Sequence, residues 1–142
     1  MTNQNKKVYA IIPSAGSGTR FSSNAPKQYF KINNETIIEK TLKHFVRLKE
    51  IEKIIIPVSS EDTYILDLEI IKNERIQVIS GGATRAESVL EGLKLISSDS
   101  LVIVHDVVRP FVSPDMILNL INNFNHEKED ALIYGIPVYE DL

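Results

Sequence analysis

The residues able to do chemistry fall in three short stretches. The first, Pro13-Ser14-Ala15-Gly16-Ser17-Gly18-Thr19-Arg20, follows an apolar run and joins a Gly-x-Gly pair to an arginine, with Pro26-Lys27-Gln28 a few positions on. Glycines let backbone approach a ligand closely, and a guanidinium offers planar donors to phosphate oxygens. Lys27 brings a second positive charge, and two cations on one loop suit a polyphosphate. By spacing alone, a structural turn competes evenly with phosphate binding, and an isolated lysine is more often simply solvated. The loop is not a Walker A motif, because it lacks the Gly-Lys-Ser/Thr ending, and Phe21 stands where a dinucleotide fingerprint has its third glycine.

The second stretch, Gly81-Gly82-Ala83, leads from an apolar run into a helix start at Thr84, with Arg85 and Ser88 following. Its backbone could read a base edge, or its glycines could do no more than permit a tight turn. The third, Leu101-Val102-Ile103-Val104-His105-Asp106, ends an apolar run on a carboxylate, with Arg109 and Pro110 next. A hard oxygen ligand at a strand end is what magnesium bound to phosphates requires, since that ion keeps several waters and needs few protein ligands. The alternative is a structural Asp106–Arg109 pair. His105 reads as a packed or hydrogen-bonded residue, and His44 and His126 as helix residues without a partner pattern. Glu61-Asp62 and Glu129-Asp130 read as solvated charge, and no nucleophile elbow is present.

Elements must hold these stretches together. Apolar runs rich in β-branched residues recur at Val8–Pro13, Ile54–Val58, Ile76–Ile79, Leu101–Val104 and Ala131–Val138, each too short for a helix and read as a strand. Between them lie helical periodicities such as Ile38, Leu42, Phe45, Val46 and Ala86, Val89, Leu90, Leu93, Ile96. Thr84-Arg85-Ala86-Glu87 fits a capping box, Ser113-Pro114 is a second helix start, and Ser60 is a candidate cap for a less regular helix. This alternation predicts an α/β fold, a mostly parallel sheet with helices on both faces and ligands at the strands' C-terminal ends.

The chain has 142 residues, the size of one domain, with a formal charge of −3 and no cysteine. That balance gives no support to a broad nucleic-acid-binding face, and the cysteine count removes disulfides and thiolate chemistry. No apolar run of about 18 residues suggests a membrane span, and the polar start lacks a secretory signal, so a cytoplasmic protein is expected. Residues 1–142 read as a single nucleotide-binding domain that stops soon after a strand, as if cut short at its C-terminal end.

In order, the motifs Ala15-Gly16-Ser17-Gly18-Thr19-Arg20-Phe21, Pro26-Lys27-Gln28-Tyr29, Gly81-Gly82-Ala83-Thr84-Arg85-Ala86-Glu87-Ser88-Val89 and Val104-His105-Asp106-Val107-Val108-Arg109-Pro110 resemble those of the 2-C-methyl-D-erythritol 4-phosphate cytidylyltransferase family. The resemblance implies a nucleotidyltransferase fold of the Rossmann-like kind and an enzyme that transfers a cytidylyl group from CTP to the sugar-alcohol phosphate 2-C-methyl-D-erythritol 4-phosphate, releasing pyrophosphate, in isoprenoid precursor synthesis. It implies that Arg20 and Lys27 stabilise charge at the α-phosphate and that Pro13, Ser14, Ala15, Gly16, Ser17 and Gly18 cradle the nucleotide. Gly82, Ala83, Ser88 and Val107 would line the nucleotide site, Asp106 would bind Mg2+, and Arg109 would face the acceptor. Ala83 and Val107 stand where family members often carry Asp and Ala. The resemblance also implies a homodimer built with an arm that follows the residues present here. The alternatives are a ribitol-5-phosphate cytidylyltransferase and a catalytically impaired CTP-binding fragment.

Overall fold

The computed structural model describes residues 6–16 and 25–137. The first strand, β1 (Val8–Ile11), is followed by a two-residue hairpin, β2 (Lys31–Ile32) and β3 (Glu35–Thr36). Its turn residues Asn33 and Asn34 both have positive φ, 54° and 65°. A tight hairpin turn of that hand favours asparagine, whose short polar side chain tolerates the left-handed region. Helix α1 (Ile37–Val46) starts at once from Thr36, whose hydroxyl accepts the Glu39 N–H while the Glu39 side chain accepts the Thr36 N–H. Then come β4 (Ile51–Val58), β5 (Ile76–Ser80), α2 (Arg85–Leu93), β6 (Leu101–Val104) and α3 (Pro114–Asn123). The caps expected at Thr84 and Ser113 are present, with Thr84 in a complete capping box.

Four strands form one sheet in the order β5-β4-β1-β6, and every pairing in it is parallel. Alternation along the strands divides the apolar residues between two faces. Val8, Ala10, Ile12, Ile54, Ile56 and Val58 join Ile38, Leu42 and Phe45 of α1 and Ile117 and Ile121 of α3 in one buried cluster. On the opposite face Ile11 meets α2, where a Cβ added at Gly92 would sit 3.0 Å from the Ile11 side chain. The expected parallel sheet with helices on both faces is therefore found. Because β4 and β5 extend the sheet on one side of β1 and β6 on the other, the strand order reverses at the β1–β6 pair. A crevice opens there, at the strands' C-terminal ends.

Four expectations are corrected. β4 begins at Ile51 instead of Ile54. Ser60 caps nothing described; Asp62 does, its Oδ1 accepting the N–H groups of Tyr64 and Ile65 at the start of a 3₁₀ turn (Tyr64–Asp67). Residues 131–137 form no strand. The Tyr134 hydroxyl donates to the Met116 carbonyl and accepts from Asn119 Nδ2, which ties the segment to α3 and leaves Ile133 84% and Ile136 87% exposed. His126 lies in a turn beyond the end of α3, so its helical reading is also revised.

Candidate active site

The backbone leaving β1 stays pinned to β4 beyond the strand proper. Ile12 N–H donates to the Ile55 carbonyl at 2.9 Å, Ser14 N–H to the Pro57 carbonyl at 2.8 Å, and Ser14 bridges Val58. Ala15 and Gly16 therefore emerge from a fixed point at the crevice. Ser14 is 3% exposed and its hydroxyl has no hydrogen-bond partner among the described residues.

Lys27 opens a single 3₁₀ turn (Lys27–Tyr29) whose other two residues are buried. Gln28 Nε2 donates to the Ser14 carbonyl at 3.0 Å, and Tyr29 donates its phenol to Asp62 Oδ2 at 2.6 Å. The Tyr29 ring also stacks on Tyr64, centroids 5.2 Å apart. Burial, reinforced by the Asp62 carboxylate, pushes the Tyr29 phenol well above its ordinary pKa, so it remains a proton donor. Asp62 is not the solvated charge that its sequence context suggested.

The turn between β5 and α2 needs its glycines for space. Gly81 donates to the Val58 carbonyl at 2.7 Å, and a Cβ there would lie 2.7 Å from Ser88 Oγ and 2.8 Å from Ala15 Cβ. At Gly82 a Cβ would fall 2.3 Å from Glu87 Cβ, and neither glycine has positive φ. Ser88, 1% exposed, turns back from α2 so that its Oγ accepts the Gly82 N–H at 3.1 Å. Thus the serine braces the turn from within.

Asp106 follows β6, whose exit is tied to β1 by the His105 N–H donating to the Ile11 carbonyl. Its Oδ1 accepts from Arg85 Nε at 2.8 Å and its Oδ2 faces Arg109 Nε at 3.2 Å. The structural pair weighed from sequence exists, and Arg85 joins it. Helix α1 holds the loop from below: Thr41 donates to the Val107 carbonyl at 2.7 Å, and His44 Nε2 lies 2.9 Å from the Pro110 carbonyl. His105 Nε2 is 2.9 Å from the Arg109 carbonyl and its ring meets Phe45 at 5.3 Å, so it is packed as expected. Burial holds its imidazole below the usual histidine range, with the Arg109 carbonyl and Asp106 opposing that shift.

These stretches surround one cavity of about 330 Å³. Pro13, Ser14, Ala15 and Gly16 line it from β1, Lys27 and Gln28 from the 3₁₀ turn, Gly82, Ala83 and Ser88 from the β5–α2 side, and Asp106 and Val107 from β6. Val107 contributes to its wall while packing into the core cluster. Arg109 instead lines an adjoining groove of about 640 Å³ between β6 and α3, which shares Asp106 and Arg85 with the cavity. Ser17, Gly18 and Arg20 lie outside the described residues. Gln28 and Arg85 are additional site residues; their place in the quoted motifs was visible, but their partners were not. Among the described residues, no group of three or more acidic or histidine side chains gathers as a metal site, so a metal held here would rely on Asp106 and on ligand oxygens.

A family model described as 2-C-methyl-D-erythritol 4-phosphate cytidylyltransferase matches residues 8–142. The enzyme of that name from Actinobacillus pleuropneumoniae serotype 7 is 42% identical over 105 residues, covering 74% of this chain and 46% of its own. The one from Vibrio atlanticus is 38% identical over 145 residues, covering 100% of this chain and 62% of its own. Among solved structures, the 4-diphosphocytidyl-2C-methyl-D-erythritol synthase of Anaerococcus prevotii matches with a TM-score of 0.68 and 35% identity, over 82% of this chain and 50% of that one. The Francisella tularensis cytidylyltransferase matches with a TM-score of 0.66 and 37% identity, over 81% and 50%. The chain thus spans about half the length of the curated relatives it matches.

Proposed function

This chain belongs to the 2-C-methyl-D-erythritol 4-phosphate cytidylyltransferase family, and from that membership we propose that it carries the CTP site for cytidylyl transfer to 2-C-methyl-D-erythritol 4-phosphate. The observation that carries the reading is the convergence of Ser14–Gly16, Lys27, Gly82–Arg85, Ser88 and Asp106 on one cavity at the reversal of strand order. The relatives described above are methylerythritol enzymes, which favours that acceptor over ribitol phosphate.

In the proposed reaction a phosphate oxygen of the acceptor attacks the α-phosphorus of CTP. The bond from that phosphorus to the bridging oxygen breaks, pyrophosphate leaves, and a CDP-linked alcohol remains. The nucleophile is already an anion, so the protein's task is positioning and charge stabilisation more than proton removal. Lys27, with Arg20, neutralises charge gathering on the α-phosphate. The braced Gly82–Ala83 turn presents close backbone to the base, and Arg109 faces the acceptor side.

Asp106 suits one magnesium ion held chiefly by phosphates: it is a single hard carboxylate at the mouth, and the arginines on it, Arg85 and Arg109, are 60% and 74% exposed and free to swing aside. Magnesium there would supply charge neutralisation on the phosphates. Among the described residues no helix is long and apolar enough to cross a membrane, and the proposed setting is the cytoplasm. The homodimer implied by the resemblance is part of the same proposal.

The test is pyrophosphate release from CTP with each acceptor. We expect release with methylerythritol phosphate and a fall of about 10²–10³ in kcat for Lys27→Ala, with the KM for CTP little changed, as for an interaction made in the transition state. Equal turnover with ribitol 5-phosphate overturns the acceptor assignment, and a loss confined to KM overturns the role of Lys27.

A further inference from the structure

We propose that Tyr29 and Asp62 are positioning residues for Lys27, holding its turn at the mouth of the cavity through the Tyr29–Asp62 hydrogen bond. The proposal rests on the reading that Lys27 acts on the transferring phosphate. A single 3₁₀ turn has poor hydrogen-bond geometry and little stability of its own, so Lys27 needs external anchors to keep its place. Each of the two residues that follow it supplies one. Gln28 ties the turn to the exit of β1, its buried amide donating to the Ser14 carbonyl. Tyr29 ties it to a different part of the sheet, the connection from β4 to β5.

The second anchor is built from the core outwards. Ile65 is 1% exposed in the main cluster, and the 3₁₀ turn that carries it is capped by Asp62 Oδ1, which accepts from Tyr64 at 3.0 Å and Ile65 at 3.3 Å. The other oxygen, Oδ2, takes the Tyr29 phenol at 2.6 Å, within the range of a charge-assisted O–H···O⁻ bond. Tyr64 adds its ring against the Tyr29 ring. The carboxylate thus serves two elements with separate atoms, and the bond to Tyr29 can be removed without touching the cap.

Tyr29→Phe deletes only the hydroxyl and keeps the stacked ring; Asp62→Asn keeps a carbonyl oxygen for the cap and replaces the ionised acceptor. Both are to be assayed by pyrophosphate release from CTP and methylerythritol phosphate, with folding followed by circular dichroism. Each should lower kcat about 10-fold or more, with the KM for CTP within about twofold, because displacing a group by an ångström costs up to about 10²-fold. The double variant should lose no more than either single one, and in a Lys27→Ala background neither should lower kcat further. An unchanged kcat, or the same fractional loss with Lys27 already removed, overturns the proposal. If one variant unfolds, the other decides. An unaffected Lys27→Ala enzyme, or no pyrophosphate from the unsubstituted protein, sinks the functional reading and the proposal with it.

Discussion

At the scale of single residues, the side chains that gather at the cavity were legible and their partners were not. The sequence pointed to Lys27, Gly82, Ser88 and Asp106, and all of them line the cavity. It gave no hint that Ser88 would turn inward to hold Gly82, or that Asp62 would accept from Tyr29, because such partners are chosen by tertiary approach. The His105 reading also stands, and it carries a pH dependence. Burial lowers the folded imidazole's pKa, whereas the unfolded one titrates at about 6.5. Below that value the unfolded chain binds the proton first, so His105's contribution is present above about pH 6.5 and lost as pH falls toward the folded pKa. Urea denaturation at about pH 7.5 and about pH 5.5 should show the unsubstituted protein losing more stability on acidification than His105→Gln. The opposite ordering would mean that the ring is stabilised as a cation.

Among the elements, starts were read better than extents. Thr84 and Ser113 announced α2 and α3 through local rules that need only neighbouring residues. The same rule was available at Thr36-Ile37-Ile38-Glu39, where a complete box starts α1, and Asn33-Asn34 carried a hairpin signal just before it. Removing the box with Thr36→Ala should cost about 0.5–2 kcal/mol, read as a lower urea midpoint, and more than Thr63→Ala, whose side chain caps nothing. Equal effects would assign no special weight to the box. Residues 131–137 are the opposite case: the composition favours a strand, but the tether through Tyr134 to α3 directs the segment away from pairing. Local propensity cannot foresee such a contest, because a strand exists only when an edge receives it.

For the whole molecule, the alternation of strand and helix was enough to indicate a parallel sheet, its two covered faces and the end at which the cavity lies. What it could not supply was strand order, which fixes the place where the motifs converge. Sheet order also predicts a gradient of protection. Val8, Ala10 and Ile11 of β1 and Ile54–Ile56 of β4 are buried residues of strands paired on both sides, so their amides should exchange with solvent only through global opening. Residues 131–137, outside any ladder, should exchange far sooner in a deuterium pulse followed by mass spectrometry. Protection there equal to that of β1 would show a paired strand after all.

The central place of β1 also has a consequence for the order of events during synthesis. Val8 pairs with Ile51 on one side and with Leu101 on the other, so β1, made before the other strands of its sheet, is not enclosed until the last of them arrives. At translation rates of about 5–20 residues per second, roughly 5–20 s pass before β6 can reach it. Throughout that interval an apolar strand waits with an open edge, and the cavity lacks the side that Asp106 and Val107 supply. Until β6 is made, nucleotide meets a site without Asp106, and one edge of β1 stays unpaired.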